Sequence, residues 1–442
     1  GSGAVVYEMD DLELAGNLAV GGELSTPSAG TSNTRVGVNT GNSIASGGNY
    51  NVLVGDEAGT ALTTGDGNVA VGFEALKTED ANGESTAVGY QALKTQNAGA
   101  SGLNTAVGYQ AGLSVTTGVQ NTLIGAQAGD ALTSGGQNVA IGYLALSLET
   151  TSANNVAIGR EALKTSNGGS GNTAVGRTAL AATTTGDNNV GVGLSALTAN
   201  TTGASNVAIG ALALDANTTA SFITAVGEKA LSANTTGAKN TALGRATLQS
   251  TTTQSDNTAV GYNSLASGSN TAANNTAVGS ETLNANTTGA DNVAVGRRAG
   301  TANTTGSDNV AVGSDALFAN TTGASNVAIG HDALGENTTG AANVAVGAGS
   351  LDANTTASNN TGVGFNALTA NTTGASNTSV GKSSSRSNTT GTQNSAFGFF
   401  AYASGTTGAN NVAVGFAALD ANTTASNNTA VGASALSADT IG

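Results

Sequence analysis

The sequence predicts an all-β fold, a parallel β-solenoid (a β-roll) of about 24 coils with a 17-residue repeat. The motif Asn-x-Ala-Val/Ile-Gly, with small variations, recurs 24 times between Gly37 and Gly432. Its glycines keep this 17-residue spacing at all eight intervals from Gly125 to Gly261 and at all nine from Gly279 to Gly432. A period of 17 is shorter than helical repeats require. The single proline agrees with stacked strands, since proline lacks the N–H that each strand donates.

Each repeat divides into two short strands and a loop. In the segment 206–210, alternation places Val207 and Ile209 on one face and Ala208 on the other. The run x-x-Ala-Leu after the glycine predicts a second strand, and Ala-Asn-Thr-Thr-Gly is typical of a turn. A coil is therefore expected to run strand, kink, strand, loop.

Large core residues are scarce in this chain. It has seven Tyr, eight Phe, one Met and no Trp, so each coil offers about two large apolar residues, the Val or Ile before the motif Gly and the Leu four after it. Each contributes roughly 1.5 to 3 kcal/mol when buried, against an ordering cost of roughly 1.5 kcal/mol per residue. We therefore expect backbone ladders and contact with other copies of the chain to supply the remaining stability.

Composition excludes several classes of partner. A net charge of −15 with 9% charged residues argues against nucleic acid binding. The absence of cysteine excludes disulfides and thiolate metal sites. No apolar run approaches the roughly 20 residues that span a bilayer, and the first residues carry no signal-peptide pattern, so membrane insertion is not expected.

Two regions are predicted. Residues 1–30 form an N-terminal cap or an attachment segment, with an acidic cluster at Glu8, Asp10, Asp11, Glu13 and Glu23. Residues 31–442 form the repeat array. Where the motif spacing is 18, between Gly261 and Gly279, a longer loop is expected to leave the strands in register.

No catalytic residue, cofactor site or metal site is predicted. The only histidine, His331, has no second histidine or cysteine to join it. Asp332, beside it, is expected on the opposite face of a strand. We therefore expect that the protein is not an enzyme.

The loop sequence Asn-Thr-Thr forms a column in the later coils, with its Asn ten residues before the next motif Gly. It matches a glycosylation acceptor, but a turn with a hydroxyl ladder uses the same residues. An ice-binding threonine face is less favoured, because the two threonines are adjacent in a turn rather than alternating on a strand.

Two sets of side chains are candidates for recognition. The residue after the motif Gly is aromatic or basic in many coils, which predicts a surface stripe for a glycan or protein, or else long side chains that seal a subunit seam. The candidate stripe comprises Tyr90, Tyr109, Tyr143, Arg160, Arg177, Arg245, Tyr262 and Arg297. A candidate aromatic patch comprises Phe397, Phe399, Phe400 and Tyr402.

The core Asn206 to Gly210, with Ala213 three residues on, resembles the head repeats of YadA-type trimeric adhesins, which also occur in trimeric bacteriophage tail fibres. The resemblance covers roughly residues 31–442. It implies a left-handed β-roll and a homotrimer, in which Val or Ile fills each roll and Ala208 and its equivalents lie where subunits meet. The coil of this chain is longer than the adhesin unit, and the Asn-Thr-Thr-Gly loop accounts for the difference.

The expected function is a non-enzymatic structural fibre, at an extracellular or virion surface, with residues 1–30 as the segment that would attach to other fibre or virion proteins. A phage tail fibre or virion appendage, giving reach and attachment to a host cell-surface glycan or protein, is favoured, since a secretory signal, stalk and membrane barrel are not seen. The alternatives are a bacterial trimeric surface adhesin and a self-assembling extracellular filament subunit, the latter because the chain stops in mid-register at Gly442.

Overall fold

The described part of the chain is a stack of short parallel strands. The computed structural model describes residues 30–266 and 271–438; the predicted cap and its acidic cluster lie outside them, apart from Gly30. The 24 strands are Thr34–Val36 (β1), Val52–Val54 (β2), Val69–Val71 (β3), Thr86–Val88 (β4), Thr105–Val107 (β5), Thr122–Ile124 (β6), Val139–Ile141 (β7), Val156–Ile158 (β8), Thr173–Val175 (β9), Val190–Val192 (β10), Val207–Ile209 (β11), Thr224–Val226 (β12), Thr241–Leu243 (β13), Thr258–Val260 (β14), Thr276–Val278 (β15), Val293–Val295 (β16), Val310–Val312 (β17), Val327–Ile329 (β18), Val344–Val346 (β19), Thr361–Val363 (β20), Thr378–Val380 (β21), Ser395–Phe397 (β22), Val412–Val414 (β23) and Thr429–Val431 (β24).

Every strand pairs in parallel with the next strand along the chain, so one sheet runs the length of the array. Val207 of β11 pairs with Thr224 of β12, its equivalent one repeat later. The register also survives the longer spacings, because Thr258 of β14 still pairs with Thr276 of β15 across the lengthened coil. The predicted parallel β-solenoid is confirmed, and the irregular spacings are absorbed by loops.

The interior of the coil is lined by alanine and leucine, which corrects one expectation. Ala208, at the centre of β11, is fully buried, as is Leu214 from the segment after the motif Gly. Val207 is half-buried and Ile209 is exposed on the outer face. Alternation correctly placed these two residues on one face, but the face is the outside of the coil. Alanine is the residue that fits inside, because the leucine four residues after the glycine occupies the remaining space.

The segment after the motif Gly is a turn and not a second strand, which corrects another expectation. In the coil of β11, Leu212 and Leu214 have φ of 56° and 53°, in the left-handed region. The backbone still joins the ladder, since Leu212 N donates to Leu194 O at 2.9 Å and Leu214 N donates to Ala230 O at 2.9 Å. Hydrogen bonds to the coils on either side therefore offset the cost of a left-handed conformation.

The motif glycine is required by both conformation and stacking. Gly210 has φ of 131°, and a Cβ at this position would lie 2.7 Å from the carbonyl carbon of Gly227 in the next coil. No other residue tolerates that approach. The 17-residue glycine period therefore records where successive coils come closest.

Two buried asparagine ladders run along the array. The motif asparagines form the first, in which Asn206 N donates to Asn189 Oδ1 at 3.0 Å and Asn206 Nδ2 donates to Ala220 O at 2.9 Å. The loop asparagines form the second, in which Asn217 Nδ2 donates to Asn200 Oδ1 at 2.9 Å. Both satisfy loop groups that burial would otherwise leave unpaired.

Some coils use different residues to fill the same interior. β6 has Leu123 in place of the central Ala. Near it, the positions four residues after motif glycines, which usually carry Leu, carry Gly112 and Gly129 instead. A Cβ at either glycine would lie 2.7 or 2.8 Å from a methyl of Leu123. In this coil the large side chain comes from the strand, and the turn position opposite it is glycine. The volume of side chains inside the coil is therefore similar to that in other coils.

Candidate functional site

The candidate recognition stripe lies on the surface, in the column that follows the motif glycines. All eight of its residues are exposed; Tyr109 is 52% exposed and Tyr143 is 47% exposed. They sit beside the outer face of the strands because each directly follows the glycine that ends its strand. The stripe therefore lies on the surface of the coil, and its role in recognition stays a prediction.

The first aromatic residues of this column stack on one another. The rings of Phe73 and Tyr90 have centroids 5.3 Å apart, and those of Tyr90 and Tyr109 are 5.4 Å apart with planes at 9°. Both faces of Tyr90 are therefore covered by neighbouring rings, and its edge and hydroxyl face solvent. A sugar ring has no free face of Tyr90 on which to stack.

Three of the four basic members of the stripe, Arg160, Arg245 and Arg297, bind neighbouring carboxylates. Arg160 donates to Glu161 at 3.0 Å, and Arg245 donates to Glu228, one coil earlier, at 3.2 Å. Arg245 also lies 5.8 Å from the ring centroid of Tyr262. Such exposed ion pairs contribute little to stability, and they hold the guanidinium groups along the surface of the rod.

The candidate aromatic patch divides between surface and core. Phe397 and Phe399 are exposed, and Phe399 packs edge to face against the half-buried Phe400 with centroids 4.3 Å apart. Tyr402, however, is fully buried. It occupies the leucine position, four residues after the motif glycine Gly398, so its assignment to a surface patch is wrong.

Tyr402 fits because the residues around it are small. A Cβ at Gly405, in the column of the loop asparagines, would overlap the ring. The Tyr402 hydroxyl donates to Gly408 O at 3.3 Å and accepts from Asn411 Nδ2 at 3.0 Å. Burial raises the pKa of Tyr402, and the Asn411 hydrogen bond only partly opposes this effect.

A charged cleft that sequence reasoning missed lies around His331. Asp315, His331 and Asp332 place ligand atoms within 4.8 Å of one another. They line a cavity of about 320 Å³. Its other lining residues are Arg298, Phe318, Gly335, Glu336 and Asp352. The sequence signal is that Arg298, Asp315 and Asp332 each lie two residues after a motif Gly in three successive coils.

The contacts within the cleft oppose a simple metal site. Asp315 is already ion-paired, with Arg298 Nε at 2.7 Å and Arg297 Nη2 at 3.3 Å. His331 Nδ1 lies 2.9 Å from Asp332 Oδ2. The expectation that His331 and Asp332 project from opposite faces of a strand is therefore wrong, because both belong to the turn after Gly330.

The loop asparagines are structural and not accessible. Asn200, Asn320 and the other members of their column are at most 2% exposed, and Asn320 Nδ2 donates to Asn303 Oδ1 at 2.8 Å. A glycan on Nδ2 would have to displace these bonds. Burial and these hydrogen bonds therefore argue against glycosylation of the folded column.

The first threonine of each loop forms the expected hydroxyl ladder. Thr201 Oγ1 donates to Thr218 O at 3.0 Å, and Thr304 Oγ1 donates to Thr321 O at 2.9 Å. Apart from Thr423 in the last loop, the first threonines are half-buried, and the second threonine, such as Thr202, is the exposed one. The two adjacent threonines thus do not share a flat outer face.

The outer face of the strands is a second surface of interest. It carries Val or Thr at the first position of most strands and mainly Val or Ile at the third. Ile209 is 39% exposed, Ile329 is 40% exposed and Phe397 is 41% exposed. A band rich in β-branched and apolar residues therefore follows the described array from end to end.

No protein-family model matches this sequence, and no curated protein is significantly similar to it. Among the described residues, no helix has the length and apolar character needed to cross a membrane.

Proposed function

We propose that this chain forms a non-enzymatic structural fibre, a homotrimer whose subunits meet through the outer faces of their strands. The observation that carries the proposal is the apolar band along all 24 strands. Apolar patches of this extent are rarely left in water and usually mark an interface. The resemblance to trimeric adhesin and tail-fibre repeats supports three copies around one axis.

The band favours a subunit contact through different residues from those that the resemblance implies. Ala208 and its equivalents are enclosed within their own coil, and they cannot touch a second subunit. The third residues of the strands, such as Ile158, Ile209 and Ile329, are the ones that a neighbouring copy would cover. A periodic band also suits an extended contact, since each coil repeats the same surface.

Mass and length together test the fibre. At about 4.8 Å per stacked coil, 24 coils make a rod of about 115 Å. Sedimentation and light scattering should give three times the chain mass of 42.2 kDa, and electron microscopy should show rods of that length. A compact monomer would refute the proposal, and rods of indefinite length would favour the alternative of a self-assembling filament.

Matched substitutions test the interface. Replacing Ile158, Ile209 and Ile329 with Glu should dissociate the assembly, because three carboxylates from every subunit would enter an apolar seam. The control carries Glu at three exposed loop threonines, Thr202, Thr305 and Thr339, and should remain assembled. Equal mass for the two variants would contradict an interface through the strands.

For biological role, we propose reach and host-surface attachment in a phage tail fibre or virion appendage, with a bacterial trimeric adhesin as the alternative. The exposed stripe along a long rod supports attachment, since it repeats recognition groups at coil spacing. Purified rods should bind candidate host cells and block phage adsorption. An intact rod that binds no cell would leave a purely mechanical shaft.

A further inference from the structure

One position of the aromatic and basic column carries a small residue between two tyrosines. A similar position later in the chain lies between two phenylalanines and carries a lysine. Between Tyr109 and Tyr143, the intervening coil contributes Ala126 to the column. Tyr109 stacks on Tyr90 with one face, so its other face is turned toward this coil. An alanine methyl does not reach out between two rings. Column position therefore leaves a slot between Tyr109 and Tyr143, where the coil between them carries only Ala126.

The same arrangement recurs at Phe365, Lys382 and Phe399. Phe365 and Phe399 are two coils apart in the column, as are Tyr109 and Tyr143. In the later coils Lys382 stands where Ala126 stands in the earlier ones. Lys382 Nζ lies 5.8 Å from the Phe365 centroid and 5.7 Å from the Phe399 centroid. An ammonium group thus occupies the space between two rings at this spacing.

We propose that the slot between Tyr109 and Tyr143 binds an exposed lysine side chain of a partner protein. The two ring faces attract an ammonium group, as the two phenylalanine rings attract Lys382. The chain's net charge of −15 favours approach of a basic partner. The lysine stem would lie over Ala126, between the two tyrosines.

The chain's own cations do not already fill the slot. Arg160, one coil beyond Tyr143, is held by Glu161 through Nε at 3.3 Å and Nη2 at 3.0 Å. Lys94 binds Glu74 at 2.6 Å. The slot also remains accessible, since its two tyrosines are more exposed than Tyr90, at 43%. This inference rests on the proposed attachment role and names the chemistry of one partner contact.

The test uses the assembled rod labelled with 3-fluorotyrosine. The fluorine resonances of Tyr109 and Tyr143 are assigned from Tyr→Phe variants and followed during titration at constant ionic strength. The probe is Nα-acetyl-lysine amide, and its neutral match is Nα-acetyl-norleucine amide. We expect saturable shifts of both resonances, with about tenfold preference for lysine. No preference for lysine, or stronger binding of Nα-acetyl-phenylalanine amide, would overturn the assignment.

Ala126→Lys provides the discriminating variant. It copies the Lys382 arrangement, so the added ammonium should occupy the slot and abolish probe binding without removing either ring. Ala126→Ser, the matched control, should bind as the parent does. Undiminished binding by Ala126→Lys would refute the slot. Because the readout is a lysine titration and not cell adhesion, rods that bind cells but ignore the probe refute this inference while leaving the attachment role intact.

Discussion

Exchanging Tyr402 and Gly405 for Leu and Asn tests whether this coil is a compensated variant of the common core. Tyr402→Leu alone removes a buried ring with its two hydrogen bonds, which should lower the free energy of unfolding by about 2 kcal/mol. Gly405→Asn alone forces a side chain into the space of the ring, and overpacking of this kind also costs about 2 kcal/mol. The double substitution restores the pair found in the next coil as Leu419 and Asn422.

The double variant should recover nearly all of this loss. Asn388 Oδ1 is buried and accepts no hydrogen bond, because the next residue in its ladder is Gly405, which has no side-chain amide to donate. The amide introduced by Gly405→Asn would supply that donor, as Asn388 Nδ2 does for Asn371 Oδ1 at 2.8 Å. We expect the double variant within about 1 kcal/mol of the parent, a coupling of about 3 kcal/mol.

Hydrogen exchange on peptides covering residues 395–425 is the appropriate assay, since a long array need not unfold in one step. Urea denaturation of the whole protein provides the global comparison. Thr407→Asn, at an exposed loop position, is the control and should change neither. Additive effects of the two single substitutions, or a double variant less stable than either, would refute the compensation.

Three further results are expected. Gly300→Leu should raise the free energy of unfolding by about 1 kcal/mol in urea denaturation. Gly300 occupies a leucine position beside a small apolar cavity, and burial of the new side chain outweighs the cost of the left-handed φ of 59°. Leu317→Gly should lower the free energy of unfolding, and an equal change for both variants would contradict this reasoning. Burial raises the pKa of Glu149, but hydrogen bonds from backbone and side-chain donors outweigh it and leave the pKa below its ordinary value of 4.5. The ionised Glu149 therefore stabilises the fold above its unfolded pKa, and this contribution is lost as the pH falls through its folded pKa. Below pH 4.5 the free energy of unfolding of the parent should fall more steeply than that of Glu149→Gln. Parallel curves of unfolding free energy against pH would refute this. Burial and the charges of Asp332 and Glu336 raise the pKa of Asp352, so Asp352→Asn should stabilise the protein at neutral pH and lose that advantage in acid, as thermal unfolding at both pH values would reveal.

The repeat identified the fold because glycine spacing, strand alternation and turn residues all follow coil geometry directly. What it left open was which strand face points inward. Alternation groups Val207 with Ile209 but does not orient them, and the usual preference for burying larger residues gave the wrong answer. Leu214 decides the matter, because its side chain already fills the coil and leaves room only for Ala208. Volume across the coil, not hydrophobicity of one strand, sets the orientation.

The second segment was mispredicted for a different reason. Leu212 and Leu214 adopt left-handed backbone angles that no local propensity favours, and hydrogen bonds to adjacent coils maintain them. The site was partly predictable. Column position alone placed Tyr109 and Tyr143 on the surface, and the same counting from Gly398 would have placed Tyr402 inside. The cleft at His331 depends on side-chain contacts between coils, which a single repeat does not encode.

Because of the asparagine ladders, the number of coils can change without a change in the packing of each coil. Each asparagine amide forms hydrogen bonds only with the coils beside it. If one 17-residue unit were removed or duplicated, the asparagines on either side of the change could therefore form the same hydrogen bonds again. The rod would then shorten or lengthen by one step of about 4.8 Å without a new interior having to be found. Such a chain can evolve as a ruler, with reach counted in whole coils and the surface of each coil free to diverge.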